Sequence, residues 1–290
     1  MKISGFSFIK NALIYDYPIV EAITSILPIC DEFVVAVGKS DDETIDLISR
    51  IDKNKIKIIE TEWDENLREG GRVLAVETDK SFAKVSDDSD WAFYIQGDEV
   101  VHERYLDTIY KNMQALKDND QIDGLLFKYL HFYGSYDYVA TSSDWYKYEI
   151  RVIKNDKYIY SYKDAQGFRK GENEKLHVKP IDAYIYHYGW VKEPKAMQKK
   201  QEHFNKYWHD DNWVDNHVLK SNEFDYGRHI KVLESFKGDH PKVMEKRIMQ
   251  KNWKFDHDIS LNRMTLKDKS KEFLGKYFGI DFSFKNYKII

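Results

Sequence analysis

A single cysteine, Cys30, stands in this chain of 290 residues. No internal disulfide can form, and a zinc site built on several thiolates is excluded. No run approaches the roughly 18 apolar residues of a membrane span, and the mean hydropathy is −0.66. The opening MKISGFSFIKNALIYDY lacks the apolar stretch and cleavage site of a secretory leader, so a cytoplasmic location is expected. Charge of one sign is also lacking: 45 Lys+Arg face 49 Asp+Glu, for a net −4. Nucleic acid is therefore not expected as the main partner, because backbone binding needs a concentrated basic surface. Several site motifs are absent: no G-x-G-x-x-G after a strand, no phosphate-binding G-x-x-x-x-G-K-[ST], no H-E-x-x-H and no G-x-S-x-G. His203 and His209 share an expected helix, but a spacing of six sets them about 240° apart. Both are read as surface or packing residues.

What is present is unevenly distributed. Of the 44 aromatic residues, 21 lie between Phe127 and Trp213. Such crowding suits a cleft in which sugar C–H faces pack on rings, although aromatic residues also favour β-strands generally. Residues 241–290 carry 12 Lys+Arg and 6 Asp+Glu, a local +6.

The first 125 residues alternate strand and helix. Strands are expected over 3–9, 33–37, 55–60, 91–95 and 124–129, with helices from Pro18 and over 45–51, 69–85 and 105–116. The run FVVAV has the continuous apolar character of a strand buried on both faces. Strands separated by helices of this length imply a parallel sheet with right-handed crossovers. Beyond residue 125 the pattern turns antiparallel. Segments 146–153 and 157–162 read as a hairpin about Asn155-Asp156, 166–177 as a polar loop and 183–188 as a strand. Helices are expected over 195–208, 241–254 and 266–278.

Ligands of an open parallel sheet bind at the carboxyl ends of its strands. Three polar clusters fall there: Lys10-Asn11, Gly38–Asp42, and Gln96-Gly97-Asp98-Glu99. Carboxylates directly after an apolar strand can hold Mg²⁺ or Mn²⁺, and they can equally cap the next helix.

These pieces, in this order, resemble the family 2-like glycosyltransferases with the GT-A fold, across roughly residues 2–215. FSFIKNALIYDYPIVEAITSIL resembles the family's opening, and DEFVVAVGKSDDET its second strand and turn. Gly70-Gly71-Arg72 resembles the helix start ahead of the metal strand, YIQGDE the Asp-x-Asp-Glu metal motif, and IYHYGWV a late His-x-Gly element. Gln96 replaces the motif's first acid, and Ala36 and Ala12 replace other polar positions. The fold so implied is α/β, a Rossmann-like, mostly parallel GT-A sheet with an antiparallel acceptor-side half. Residues 1–125 would form the nucleotide-sugar half, 126–215 the acceptor half and 216–290 a helical appendage.

The resemblance implies inverting transfer from a nucleotide-sugar donor to a glycan or lipid-linked hydroxyl. A divalent cation (Mn²⁺ or Mg²⁺) would be held by Asp98, His187 and Glu99. Phe8, Lys10, Ser40, Asp41, Arg72, Gln96 and Gly97 would contact the donor, with Arg151 and Arg169 as further phosphate candidates. Asp164 is the expected general base, with Glu172 and Glu149 as alternatives. The competing reading is a degenerate GT-A domain that binds without turnover. Residues 241–254 are read as packing on the body, with peripheral contact at an anionic membrane face as the alternative.

Overall fold

The computed structural model describes residues 1–64, 66–218, 220–230, 232–262, 270 and 285–290. In chain order the elements are β1 (Ile3–Ile9), α1 (Ile19–Ile26), β2 (Glu32–Gly38), α2 (Thr44–Ser49), β3 (Ile56–Thr61), α3 (Arg72–Phe82), β4 (Trp91–Tyr94) and β5 (Glu99–Val101). There follow α4 (Leu106–Leu116), β6 (Gly124–Tyr133), β7 (Tyr138–Ala140), β8 (Tyr148–Lys154), β9 (Ile159–Tyr162), β10 (Gly167–Lys170), β11 (Glu174–Lys175) and β12 (His177–Trp190). The last are α5 (Pro194–Phe204), α6 (Asp211–His217), β13 (Leu233–Ser235), α7 (Glu245–Met249) and β14 (Lys288–Ile289).

The fold is α/β, as expected. β4-β1-β2-β3 form a parallel half. All seven residues of β2 are buried, which its apolar run requires. Two cores result, one on each face. Ile19, Ala22, Ile23 and Ile26 of α1 pack on one side with Ile48, Ile109 and Met113, while Val73, Leu74 and Phe82 of α3 pack on the other. Burying each large aliphatic side chain contributes about 1.5–3 kcal/mol. β3 returns through α3 to β4 on the far side of β1, so the order reverses between β1 and β4. A crevice opens at such a switch point.

β4 pairs antiparallel with β8, and β8 antiparallel with β6. β12 lies along the other edge of β6, parallel to it, and carries β5 antiparallel. The expected hairpin of 146–162 is not formed. β8 belongs to the main sheet, while β9 pairs with β10 in a separate antiparallel sheet, β9-β10-β11. The segment read as a polar loop therefore holds two strands.

The C-terminal stretch contributes both sheet pairing and one further correction. β13 pairs with β7 and β14 with β12, so residues 233–235 and 288–289 join the main sheet. The helix expected over 241–254 is a short turn, Lys242–Met244, followed by α7, which stops at Met249. Its Met244 is fully buried, and Val243, Ile248 and Trp253 pack around the Phe132, Tyr136 and Tyr186 cluster. Arg247 pairs with Asp16 and Glu21. The apolar face is thus turned to the body. The helix expected over 266–278 falls almost wholly outside the described residues. Among the described residues no helix is long and apolar enough to cross a membrane.

One buried pair fastens the two halves. Arg151 of β8 donates from Nε to Glu99 Oε2 at 2.8 Å and from Nη2 to Oε1 at 2.7 Å, with both residues 0% exposed. Tyr129 Oη also donates to Oε1 (2.9 Å), and the Gln96 backbone N–H to Oε2 (3.1 Å). Breaking such a pair strands a buried charge at a cost of about 3–5 kcal/mol, whereas replacing both partners by apolar groups is often neutral. Urea denaturation should show Arg151→Met losing about that much stability and the Glu99→Leu/Arg151→Met double variant regaining most of it. Equal stability of wild type and the single variant would refute the assignment.

Candidate functional site

A cleft of about 860 Å³ opens at the switch point, within the range of small-molecule sites. Its floor comes from the ends of β1 and β4: Phe8, Ile9 and Lys10 on one side, Gln96, Gly97 and Asp98 on the other. β12 contributes His187 and Trp190. The β9–β10 turn contributes Lys163, Asp164 and Gln166, and α5 contributes Lys200, Gln201 and His203. Rings form much of the wall. Phe8 and Trp63 lie 5.8 Å apart, and Trp63 and Tyr207 5.3 Å apart. Lys10 Nζ stands 5.7 Å from the Trp63 ring centroid.

Asp98 is 8% exposed. Burial opposes its ionisation, but Lys200, through its charge and its hydrogen bond, overcomes that and holds the carboxyl down at about 2. Lys200 Nζ donates to Asp98 Oδ2 at 3.2 Å and to the Gly189 carbonyl at 3.0 Å. His187 Nε2 lies 3.9 Å from Asp98 Oδ1.

The state of His187 follows from its neighbour His131. His131 Nε2 lies 2.7 Å from the Tyr146 carbonyl, which can only accept, so that nitrogen carries the proton. Burial, then the neighbouring His187, push His131 down to about 3 and keep it neutral, leaving a lone pair on Nδ1. His187 Nδ1 at 3.1 Å must then be the donor, which leaves the His187 Nε2 lone pair facing Asp98. Burial also lowers the pKa of His187 and favours this neutral form. Gly189 clears the space: a Cβ there would stand 2.7 Å from both Asp98 Oδ2 and His187 Nε2.

A carboxylate oxygen and an imidazole lone pair facing each other across 3.9 Å fit a divalent cation between them. Among the described residues no third His, Cys, Asp or Glu joins them. Substrate phosphates commonly complete such a shell for Mg²⁺. Glu99 is not part of it, since Arg151, Tyr129 and the Gln96 backbone N–H occupy both its oxygens. This departs from the expectation that Asp98 and Glu99 act together: Glu99 opens β5 and is 0% exposed, while Asp98 stands in the preceding turn and lines the cleft.

Gln96 has a role that an acid could not fill. Its Nε2 donates to the Ala165 carbonyl at 3.0 Å and approaches Tyr94 Oη at 3.3 Å, tying the end of β4 to the Asp164 turn. Arg151 Nη1 holds the same turn through the Gln166 carbonyl at 2.9 Å. Asp164 sits between two left-handed residues, Lys163 (φ 55°) and Ala165 (φ 62°). Such strain clusters at functional sites. Gly71, at φ 70°, permits the close approach: a Cβ there would meet Asp164 Cβ at 2.7 Å. Burial raises the Asp164 pKa, which strengthens it as a base.

Other expected residues lie elsewhere. Ser40 accepts from the Asn11 amide at 3.0 Å and Asp41 exchanges hydrogen bonds with the Asn11 side chain, so both brace the loop after β1. Arg72 is exposed, outside the cleft lining. Arg169 is buried against the Tyr162 ring and the Asn286 carbonyl. Glu172 is exposed in the β10–β11 turn, and Glu149 is buried with Gln166 Nε2 donating to its Oε1 at 2.7 Å. Neither lines the cleft. His203, read as a surface or packing residue, lines it, stacked on Tyr15 at 4.9 Å. Lys200 was not singled out at all, although Met197, Lys200 and Phe204 fall on one stripe of α5.

No protein-family model matches the sequence, and no curated protein does. Among solved structures, similarity is found to Staphylococcus aureus TarS (residues 1–349) at 13% identity and a TM-score of 0.39, covering 70% of this chain and 64% of that one. Glucosyl-3-phosphoglycerate synthase from Mycobacterium tuberculosis, solved with Mn²⁺, UDP and glucosyl-3-phosphoglycerate, matches at 20% identity and 0.30, covering 46% and 45%. 4-Diphosphocytidyl-2C-methyl-D-erythritol synthase from Anaerococcus prevotii matches at 15% and 0.37, covering 66% and 89%. This chain thus spans less than two thirds of the first two proteins.

Glu149 generates a prediction of its own. Burial pushes its carboxyl up to about 8, from 4.5, against the pull of Arg151. Between these values the native state holds more protons than the unfolded chain, so stability falls as pH rises through that window. The melting temperature should drop from pH 5 to pH 8, by about 2–4 °C per kcal/mol in a chain of this size, and Glu149→Gln should flatten that drop. An identical pH profile in the variant would refute the burial argument.

Proposed function

We propose that this chain is a glycosyltransferase that moves a sugar from a nucleoside-diphosphate donor to an acceptor hydroxyl, with inversion at the anomeric carbon. The observation that carries this reading is the meeting of three features in one cleft. The Asp98–His187 pair stands at the strand ends, cationic side chains lie beside it, and Asp164 enters from the antiparallel half. A mere binder has no need of a carboxylate held on a strained turn and tethered from two directions by Gln96 and Arg151.

The chain's own groups divide the work. Phe8, Lys10 and Trp63 offer rings and a cation to the nucleotide end, while Lys200 offers an ammonium to the diphosphate. Asp164 takes the proton of the acceptor hydroxyl as that oxygen attacks the anomeric carbon from the side opposite the leaving group. The pair of electrons in the glycosidic bond leaves with the diphosphate, whose growing charge the fixed cations stabilise. Asp98 and His187 are the residues that would hold Mn²⁺ or Mg²⁺, which when bound supplies Lewis-acid charge to the same phosphates. Trp145 and Trp190 offer faces to an acceptor sugar, which makes a glycan the acceptor of choice.

Sugar release from UDP- and GDP-sugars, with titration of the matching nucleoside diphosphates, tests the assignment. Asp164→Asn should lower turnover by roughly 10²–10⁴-fold and leave nucleotide affinity within about twofold of wild type, whereas Asp98→Asn should weaken both. Wild-type turnover in Asp164→Asn would overturn its role, and the absence of sugar release from every donor would overturn the activity.

A further inference from the structure

Lys200 is buried in the cleft wall with its ammonium on Asp98 Oδ2 (3.2 Å) and the Gly189 carbonyl (3.0 Å), 4.9 Å from the Tyr17 ring centroid. Lys192 is fully buried nearby, bonded to the Asp16 carbonyl and 4.7 Å from the same ring. Across the carboxylate, neutral His187 turns its lone pair to Oδ1. The pair that fits a divalent cation therefore carries no net negative charge. Its one carboxylate is already neutralised by the Lys200 ammonium. A divalent ion placed there alone would meet like charge a few ångströms away in a poorly solvated pocket, where such repulsion is strong. A nucleoside diphosphate changes the balance, because its phosphates bring the negative charge that both cations lack. Lys200 also has the means to follow it. Two of its three N–H donors go to Asp98 and Gly189, and the third remains for a phosphate oxygen.

We propose that Lys200 makes cation binding conditional on the donor, so that a divalent ion settles on Asp98 and His187 together with a nucleoside diphosphate and binds only weakly without one. This rests on the reading of the cleft as a nucleotide-sugar site. Lys200 then serves twice, as the resident counter-ion of Asp98 and as a phosphate ligand. It also keeps the protein from sequestering metal ions when no donor is at hand.

Electron paramagnetic resonance of free Mn²⁺, titrated with the full chain, reads the effect directly. Wild type should deplete free Mn²⁺ strongly when UDP or GDP is present and little when neither is. Lys200→Gln keeps donors for Asp98 and Gly189 but loses the charge. It should bind Mn²⁺ without nucleotide on the order of tenfold or more tightly than wild type, and bind the nucleotide more weakly in EDTA. Lys200→Arg, which keeps the charge, should retain the wild-type order even where the Gln variant does not fold. Equal Mn²⁺ affinity in wild type with and without nucleotide would overturn the proposal, as would an unchanged nucleotide-free affinity in Lys200→Gln. Nucleotide binding with no Mn²⁺ uptake would also overturn it, while leaving the glycosyl-transfer reading intact. Failure of UDP, GDP, ADP and CDP to bind under any condition would bring down both.

Discussion

The buried ion pair of Glu99 and Arg151 is the constraint on which the cleft depends. It spans from β5, the strand after the Gln96–Asp98 turn, to β8 of the antiparallel half. Through Gln96 N–H it fixes the backbone that presents Asp98, and through the Gln166 carbonyl it fixes the turn that presents Asp164. A pair with both members out of water contributes little net stability, because desolvation offsets attraction. What it secures here is position. Two loops from different halves of the sheet are held to one rigid guanidinium, whose planar fork of donors admits few geometries.

Charge is layered outward from that pair. Glu99 and Arg151 cancel at the centre, then Asp98 faces Lys200 with His187 neutral between Asp98 and His131. Each of these two carboxylates finds its counter-charge within hydrogen-bond reach, so the wall around Asp98 stays close to neutral. Such a wall favours ligands that bring opposite charges in together, as a cation–diphosphate complex does. The same economy explains Gln96, whose neutral amide donates to the Ala165 carbonyl where a carboxylate would repel it.

The parallel half was legible because its strands are buried on both faces and each crossover helix carries an apolar stripe. FVVAV and WAFY announce themselves as core strands whatever their partners. The antiparallel half was read less well for local reasons. Pro180 and a register shift before Tyr184 interrupt β12, so only its second half shows a strand pattern. β10 and β11 are short strands with a polar Gly171–Asn173 turn between them and no apolar run to mark them. At the site, Asp98, His187, Lys10, Gln96 and Asp164 were found from their places after strands or in motif-like runs. Glu99 is taken up by Arg151 and Tyr129, partners far from it in the chain that no local pattern reveals. Lys200 was missed because Lys199 beside it is exposed, and composition does not separate two adjacent lysines. Only its place on the Met197–Phe204 stripe betrays it.

Asp98 and His187 are the proposed seat of the donor diphosphate and its cation. Crystals of the full chain grown with Mn²⁺ and UDP or GDP, measured at the manganese absorption edge, test this most directly. An anomalous peak about 2.2 Å from Asp98 Oδ1 and His187 Nε2, with phosphate oxygens beside it and the base against Phe8 and Trp63, is the predicted result. A diphosphate bound outside this cleft, or a manganese peak away from both side chains, would contradict it.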